Sequence, residues 1–212
     1  MHKKFSIKEA LKFGWNATIN HIGFFVTALL GTWVVGLFIN YLSSSLQRGG
    51  AGFLGSIVSL AGILIFILIS LAFTKTGLRL TGGQEPSFRD FVPVWPQYWQ
   101  FVLASVICGV LTFAGFILLV IPGIIALIGL QFYRYYLVEK GMPAVESIKK
   151  SWETTRGHRW QLFLLLIANA LICFAGLLIF GIGLFVAVPI VTVDMAYVYR
   201  KLASGQEVIP GV

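Results

Sequence analysis

Charged residues are scarce in this 212-residue chain, at 11% of the total, and only 8 residues are acidic. Soluble domains carry about 25% charged residues. Histidine and cysteine are also rare, with 3 and 2 copies, and both cysteines lie in long apolar runs. These residues assemble into no Ser-His-Asp set, catalytic carboxylate pair, phosphate-binding glycine loop or metal-ligand cluster. We therefore expect no enzyme, no cofactor and no metal site.

Hydrophobic residues make up 58% of the chain, and its mean hydropathy is +0.87. Because about 20 apolar residues cross a hydrocarbon core of about 30 Å, the length leaves room for six crossings and little else. The sequence predicts an all-α membrane bundle forming a single domain, residues 1–212. Its six predicted spans are 23–42, 53–73, 100–121, 124–138, 160–179 and 184–199.

Two prolines modify these spans. Pro122 and Gly123 stand between the third and fourth apolar runs and predict a tight return turn, since proline suits a turn better than a helix interior. Pro189 lies inside the sixth run and predicts a kink there. The first apolar run begins near Ile22 and has no Ala-x-Ala-like site after it, which indicates a retained anchor and not a cleaved signal peptide.

The basic residues fall almost entirely on one side of this arrangement. Fifteen of the 16 lysines and arginines flank the same ends of the spans, and Arg48 alone falls in a connection on the other side. The positive-inside rule therefore predicts a multi-pass protein of the bacterial inner membrane with both termini in the cytoplasm. The net charge of +8 fits anionic headgroups at these ends better than nucleic acid, which we do not expect as a partner.

An amphipathic helix is predicted ahead of each pair of spans, and the shortest of the three opens at Ser87 with Phe91 and Trp95 spaced four apart. Ser6 and Glu9 form a capping box, after which apolar residues recur every four positions at Ile7, Leu11, Trp15 and Ile19. A second helix begins at Pro143 with a similar stripe. We expect both to lie in the headgroup plane and to bind anionic lipid or a partner. The candidate interface residues are Lys8, Lys12, Trp15, Lys149, Lys150, Trp152 and Arg156.

An internal repeat accompanies these helices. The segment 79–85 returns as 201–207, and the residues around Trp15 match those around Trp152. Each unit would consist of an amphipathic helix, a two-span hairpin and a glycine turn, giving units 6–85, 86–142 and 143–207. All three enter from the same side, so the repeat axis would follow the membrane normal. The residues proposed for structural turns are Gly83, Pro122, Gly123, Gly141 and Gly205.

Asp194 and Arg134 are charged residues inside predicted spans. A charge at the membrane centre costs about 2.5–3.5 kcal/mol on insertion scales, so each needs a partner. Both lie at similar depth, six residues before Arg200 and five before Glu139, which makes an Asp194–Arg134 ion pair the first expectation. The pair would lock helices together. A proton or cation site, or a helix tilt that brings Asp194 to the interface, are the alternatives.

The stretch from Ile121-Pro122-Gly123 to Thr155-Arg156-Gly157 resembles the signature of a bacterial six-helix membrane family of unknown function. That group includes YciC-type inner-membrane proteins and the membrane domain fused to some glycerophosphodiester phosphodiesterases. In fused members the catalysis belongs to a soluble domain that this chain lacks, so the resemblance implies a protein that is not an enzyme.

Two functions remain from the sequence. The first is a non-catalytic scaffold or accessory subunit that binds anionic lipid headgroups, and also other membrane subunits or copies of itself. The second is a small transporter or channel using Asp194 and Arg134. Few polar groups line each span, whereas a conducting path needs several, and this favours the first.

Overall fold

The computed structural model describes residues 5–91, 95–179 and 181–203, and these residues are almost entirely helical. The α-helices are α1 (Ile7–Asn20), α2 (Ile22–Arg48), α3 (Gly52–Thr81), α4 (Trp95–Leu118), α5 (Val120–Leu130), α6 (Tyr133–Lys140), α7 (Ala144–Thr155), α8 (Arg159–Leu178) and α9 (Leu184–Ala203). A short 3₁₀ helix, Phe88–Phe91, precedes α4. The all-α prediction is confirmed for the described residues.

The first helix begins where the capping box predicts. The backbone N–H of Glu9 donates to the Ser6 hydroxyl at 3.4 Å, and Ser6 has extended backbone angles as an N-cap requires. At the far end, His21 caps α1, and its Nδ1 lies 3.0 Å from the Ala17 carbonyl oxygen. The chain then turns directly into α2.

Five helical stretches among the described residues are long and apolar enough to cross a membrane. They are Ile22–Arg48, Gly52–Thr81, Gln97–Leu118, Val120–Lys140 and Arg159–Leu178. The predicted sixth span falls in α9, which is not among them, because Asp194, Arg200 and Lys201 make that helix more polar.

The return turn of the second hairpin lies three residues earlier than predicted. Leu119 is the one extended residue between α4 and α5, whereas Pro122 and Gly123 lie in the first turn of α5. A proline is tolerated there because the backbone donors of a first helical turn have no intrahelical partner. Gly123 serves close packing: a Cβ on Gly115 of α4 would lie only 3.0 Å from the Gly123 Cα.

Close packing at glycine also occurs in the third hairpin, which α8 and α9 form. A Cβ on Gly176 of α8 would lie 2.8 Å from the carbonyl carbon of Gly183, just before α9 begins. Glycine at these points lets two helix backbones approach to distances that any larger residue prevents. Both hairpins are therefore closed at the end of the bundle that carries few charges.

The fourth predicted span is two helices. It extends over Val120–Lys140 and is broken at Gln131 and Phe132, between α5 and α6. The predicted limits of 124–138 were too narrow, and the break was not foreseen. Broken helices leave backbone groups unpaired, which in a membrane protein must find other partners.

The buried core lies at the end of the bundle where α1, α3, α6 and α9 meet. It is centred on aromatic residues, including Phe132, Tyr135, Tyr136 and Tyr199. The opposite end is unlike a soluble protein, because large apolar side chains such as Phe53 and Leu118 are 80% and 75% exposed. An extended apolar exterior of this kind is what lipid-facing helices present.

Candidate functional site

The basic residues predicted to form an interface are exposed on α1 and α7. Lys8 and Lys12 of α1 are exposed beside Trp15, whose side chain is 54% exposed. On α7 and just after it, Lys149, Lys150 and Arg156 are exposed, and Trp152 is 38% exposed. We call the end of the bundle formed by α1, α7 and these residues the basic end.

The face of α1 made of small residues packs against the bundle, and of the predicted apolar stripe Ile7 and Leu11 also pack against the core. Ala10, Gly14 and Thr18 are completely buried against the bundle, whereas Trp15 and Ile19 face outward. A Cβ on Gly14 would lie 2.8 Å from the Ile190 carbonyl oxygen and 3.2 Å from the Asp194 Cβ, so small residues allow α1 to contact α9 closely. The exposed stripe carries the tryptophan and the lysines.

The same arrangement recurs on α7. Ser147, Ser151 and Thr155 are buried and spaced four apart like the buried residues of α1, and Ala144 and Ile148 beside them are buried as well. In a helix such residues share one face. When Trp15 is aligned with Trp152, the buried residues Ala10, Gly14 and Thr18 of α1 coincide with Ser147, Ser151 and Thr155 of α7.

Hydroxyl groups on α7 form hydrogen bonds with backbone groups at the break between α5 and α6. Ser151 Oγ donates to the Gly129 carbonyl oxygen at 2.9 Å and accepts from the Phe132 backbone N–H at 3.0 Å. Thr155 Oγ1 lies 3.3 Å from the same carbonyl oxygen. A Cβ on Gly129 would collide with the Trp152 ring. Sequence reasoning missed this role, although the spacing of Ser147, Ser151 and Thr155 was visible.

Asp194 and Arg134 do not form the ion pair expected from the sequence. Asp194 is completely buried, and its Oδ1 accepts a 3.3 Å hydrogen bond from Asn169 Nδ2 on α8. Its Oδ2 has no hydrogen-bond partner among the described residues. Arg134 is exposed, and its guanidinium contacts Ser70 and Tyr133 instead. No ion pair between Arg134 and Asp194 therefore joins α6 to α9.

Arg134 lies in a polar cluster that sequence reasoning did not assemble. Its Nη1 donates to Ser70 Oγ at 3.1 Å and its Nε donates to the Tyr133 hydroxyl at 3.3 Å. The same hydroxyl lies 3.0 Å from Ser105 Oγ. Within the described part of the chain, no carboxylate is recorded within 4.0 Å of the guanidinium. Single serines in apolar runs give no signal of such a cluster.

This cluster lines a cavity of about 780 Å³ bounded by α3, α4, α5, α6, α8 and α9. Polar residues, among them Ser70, Ser105, Gln131 and Arg134, line the part nearer the basic end. Aromatic and aliphatic residues, including Phe113 and Phe116, line the part nearer the opposite end. Neither amide atom of Gln131 has a partner among the described residues. The cavity is therefore amphipathic along the bundle axis.

Ion pairs connect distant parts of the chain at the basic end. Lys201 Nζ lies 2.9 Å from Glu9 Oε2, and Arg200 Nη2 lies 3.4 Å from Glu139 Oε1. Hydrogen bonding to Lys201 is the main cause that lowers the pKa of Glu9. A further pair joins the end of α3 to the 3₁₀ helix, between Arg79 Nη1 and Asp90 Oδ1 at 3.1 Å.

Two of the glycines that the sequence predicts in turns do follow helices and have positive φ angles. Gly83 and Gly141 follow α3 and α6 with φ angles of 70° and 60°, which glycine adopts without strain. Gly205 lies outside the described residues. Within residues 5–91, 95–179 and 181–203, no group of three or more His, Cys, Asp and Glu side chains is placed to hold a metal ion.

Helices of spanning length, an apolar exterior and charges gathered at one end are the features of a polytopic membrane protein. The chain belongs to the family described as Domain of unknown function (DUF7847), whose profile matches residues 99–208, from α4 to beyond α9. The sequence predicted a family of unknown function, and the family match confirms that part of the prediction.

Uncharacterized mycobacterial proteins are among its relatives. The chain is 30% identical over 158 residues to the uncharacterized protein Mb2590 of Mycobacterium bovis, and 29% identical over 158 residues to Rv2560 of Mycobacterium tuberculosis. In both cases the match covers 73% of this chain and 48% of the relative, so the chain spans about half the length of these proteins. No solved structure matches.

Proposed function

We propose that the protein is a non-catalytic scaffold or accessory subunit of the bacterial inner membrane that binds anionic lipid headgroups at its basic end. The observation that carries this proposal is the outward placement of Lys149, Lys150 and Arg156 beside the half-exposed Trp152. A tryptophan beside cations matches the layer where headgroups meet acyl chains. Lys8, Lys12 and Trp15 supply the same combination on α1.

The packing of α1 and α7 supports a role for these residues outside folding. Each helix is attached to the bundle through its buried face, and none of these cations lies on that face. Lys150 pairs with Glu153 at 3.1 Å on the same helix, but Lys149 and Arg156 have no recorded carboxylate partner among the described residues. Cations left facing outward are suited to lipid phosphate.

A six-span topology is part of the proposal, with α9 as the last span and both termini in the cytoplasm. The α2–α3, α4–α5 and α8–α9 pairs each run away from the basic end and return to it. The basic residues gathered there favour the cytoplasm by the positive-inside rule. The polarity of α9 fits a span that is buried among others, since its Asp194 is completely enclosed.

Packing between the proposed units supports the threefold repeat. The 3₁₀ helix of the second unit packs against α3 of the first, and α7 of the third packs against α5 of the second. α1 of the first unit packs against α9 of the third. Each cytoplasmic segment therefore rests on the returning helix of another unit, as in a closed ring. The resemblance of residues 121–157 to YciC-type membrane proteins is also part of this proposal.

The test compares lipid-dependent stability in nanodiscs of phosphatidylcholine with increasing phosphatidylglycerol. The wild-type Tm should rise with the anionic fraction, and the triple variant K149Q/K150Q/R156Q should lose most of that rise. Arg48→Gln is the matched control, because Arg48 is exposed at the opposite end. Equal slopes for the wild type and the triple variant would contradict the proposal and leave a protein partner as the ligand of these cations.

A small transporter is the second candidate, favoured by the cavity beside Arg134. Asp194 does not line that cavity, which weakens the joint role expected for the two residues. Proteoliposomes loaded with a pH-sensitive dye would report proton flux. Flux that is present in the wild type and lost in Asp194→Asn would favour transport over the scaffold.

A further inference from the structure

We propose that the cavity beside Arg134 binds one membrane amphiphile with an anionic oxygen head and a single acyl chain. The head would lie at Arg134 and the chain would follow α4 toward Phe116. This site is distinct from the basic end, and its existence does not depend on lipid binding by Lys149, Lys150 and Arg156.

The charge of Arg134 requires an anion. Arg134 lies six residues before the end of α6, or roughly 9 Å at 1.5 Å per residue, within the stretch of spanning length Val120–Lys140. No carboxylate among the described residues is recorded within 4.0 Å of it. A cation at this depth is stabilised by an anion that comes from the membrane itself.

The geometry leaves hydrogen-bond donors for that anion. A guanidinium has five N–H groups. Two of them have recorded acceptors, Ser70 Oγ at 3.1 Å and the Tyr133 hydroxyl at 3.3 Å. Both acceptors also hold the guanidinium at the cavity wall, and the planar fork suits a carboxylate or phosphate. Gln131 adds an amide whose two polar atoms are buried without partners, as expected of groups that await a ligand.

The rest of the cavity matches an acyl chain. From Ser105 to Phe116 the wall formed by α4 is roughly 16 Å long at 1.5 Å per residue, and it becomes apolar away from Arg134. The volume of about 780 Å³ lies within the range of about 300–1,000 Å³ typical of small-molecule sites. The polar part of the cavity faces the basic end of the bundle. A bound amphiphile would therefore have the same orientation as the lipids in the leaflet next to the basic end.

Two variants test separately the part of the cavity that would bind the anionic head and the part that would bind the acyl chain. Arg134→Gln removes the charge but keeps polar atoms, and Gly109→Phe fills the chain part, because a Cβ at Gly109 meets nothing within 4 Å. Gly31→Phe is the matched control, since a Cβ at Gly31 of α2 also meets nothing within 4 Å and Gly31 does not line the cavity.

Binding is measured by native mass spectrometry in detergent with oleate, oleoyl lysophosphatidate, oleyl alcohol and inorganic phosphate as separate probes. One oleate or lysophosphatidate should bind per chain, and the two arms identify which head is preferred. Arg134→Gln should weaken binding about tenfold or more, since charged hydrogen bonds contribute about 1.5–3 kcal/mol. Gly109→Phe should also weaken binding, because its ring occupies the space of the acyl chain. Gly31→Phe and K149Q/K150Q/R156Q should bind like the wild type.

Cysteine modification locates the ligand independently. Cys108 lines the cavity, whereas Cys173, the second cysteine of the chain, does not. Oleate should slow the reaction of Cys108 with N-ethylmaleimide in a Cys173→Ala background, and it should leave Cys173 unaffected in a Cys108→Ala background.

Three results would overturn the proposal. If oleyl alcohol bound as tightly as oleate, the anionic head would have no role in binding. If inorganic phosphate at equal concentration displaced oleate, the acyl chain would have no role in binding. Unchanged oleate binding in both Arg134→Gln and Gly109→Phe, with Cys108 unprotected, would place the ligand elsewhere.

Discussion

Lys201 Nζ lies 2.9 Å from Glu9 Oε2, so the last described helix is tied to the first at the basic end. The Tyr197 hydroxyl donates to the same carboxylate oxygen at 3.4 Å. Together with the packing of α1 on α9, these contacts join the two extremes of the described chain. Their contribution is testable through pH, since Glu9 is the one acidic side chain among Glu9, Tyr197 and Lys201.

Acid should weaken the attachment of α1. Lys201 lowers the pKa of Glu9 in the folded protein, so the unfolded chain binds the proton more tightly. The stabilisation is therefore complete above the unfolded pKa of about 4.3 and is lost as the pH falls through the lower folded value. The protection factors of the α1 amides against hydrogen exchange, which are corrected for the intrinsic pH dependence of exchange, should fall over that interval.

Glu9→Gln is the matched variant for this effect. It should remove the acid dependence of the α1 protection factors and leave the protection of the α4 amides unchanged. The same acid dependence in Glu9→Gln would show that another group is responsible.

Ser151→Ala should destabilise the break between α5 and α6. The substitution leaves the Phe132 backbone N–H without its acceptor and removes one donor from the Gly129 carbonyl oxygen. A buried polar group without a partner costs about 1–3 kcal/mol. Ser56→Ala is the control, because the exposed Ser56 hydroxyl bonds only to the Gly52 carbonyl oxygen of its own helix. Equal Tm values for the two variants in the same detergent would refute this role.

Gly14→Ala should loosen α1 from α9. The added Cβ would lie 2.8 Å from the Ile190 carbonyl oxygen, and the backbone must shift to relieve the contact. Overpacking of this kind costs about 1–3 kcal/mol. Gly23→Ala in α2 should be neutral or slightly stabilising, because its Cβ meets nothing within 4 Å. The difference in Tm between these two variants measures the effect, and no difference would contradict the close approach.

Asp194→Asn should change stability little, by about 1 kcal/mol or less, since no cation among the described residues is paired with the carboxylate and the new amide oxygen can still accept from Asn169. The measurement is thermal unfolding in detergent beside Asn169→Leu, which removes the donor. Breaking a buried ion pair costs about 3–5 kcal/mol, so a loss of that size in Asp194→Asn would mean that a charge partner is present after all.

Much of the helical layout could be predicted from the sequence, because apolar runs and the capping residues Ser6 and Glu9 are local signals. The break at Gln131 could not, since its backbone partners come from Ser151 and Thr155, which lie on another helix. The partners of Arg134 were mistaken for a similar reason. Depth along a helix can be counted from the sequence, but the rotation that turns Arg134 toward Ser70 and away from Asp194 depends on tertiary packing.

The position of α9 matters most, because the proposed six-span arrangement and the proposed cytoplasmic location of the basic end both depend on it. Single cysteines at Arg48, Lys149, Ile182 and Ala203, each in a background without Cys108 and Cys173, can be treated with a membrane-impermeant maleimide in intact spheroplasts. The account predicts labelling at 48 and 182 from outside, and at 149 and 203 only after lysis. Labelling of 182 and 203 from the same side would show that α9 does not cross the membrane and would contradict the account.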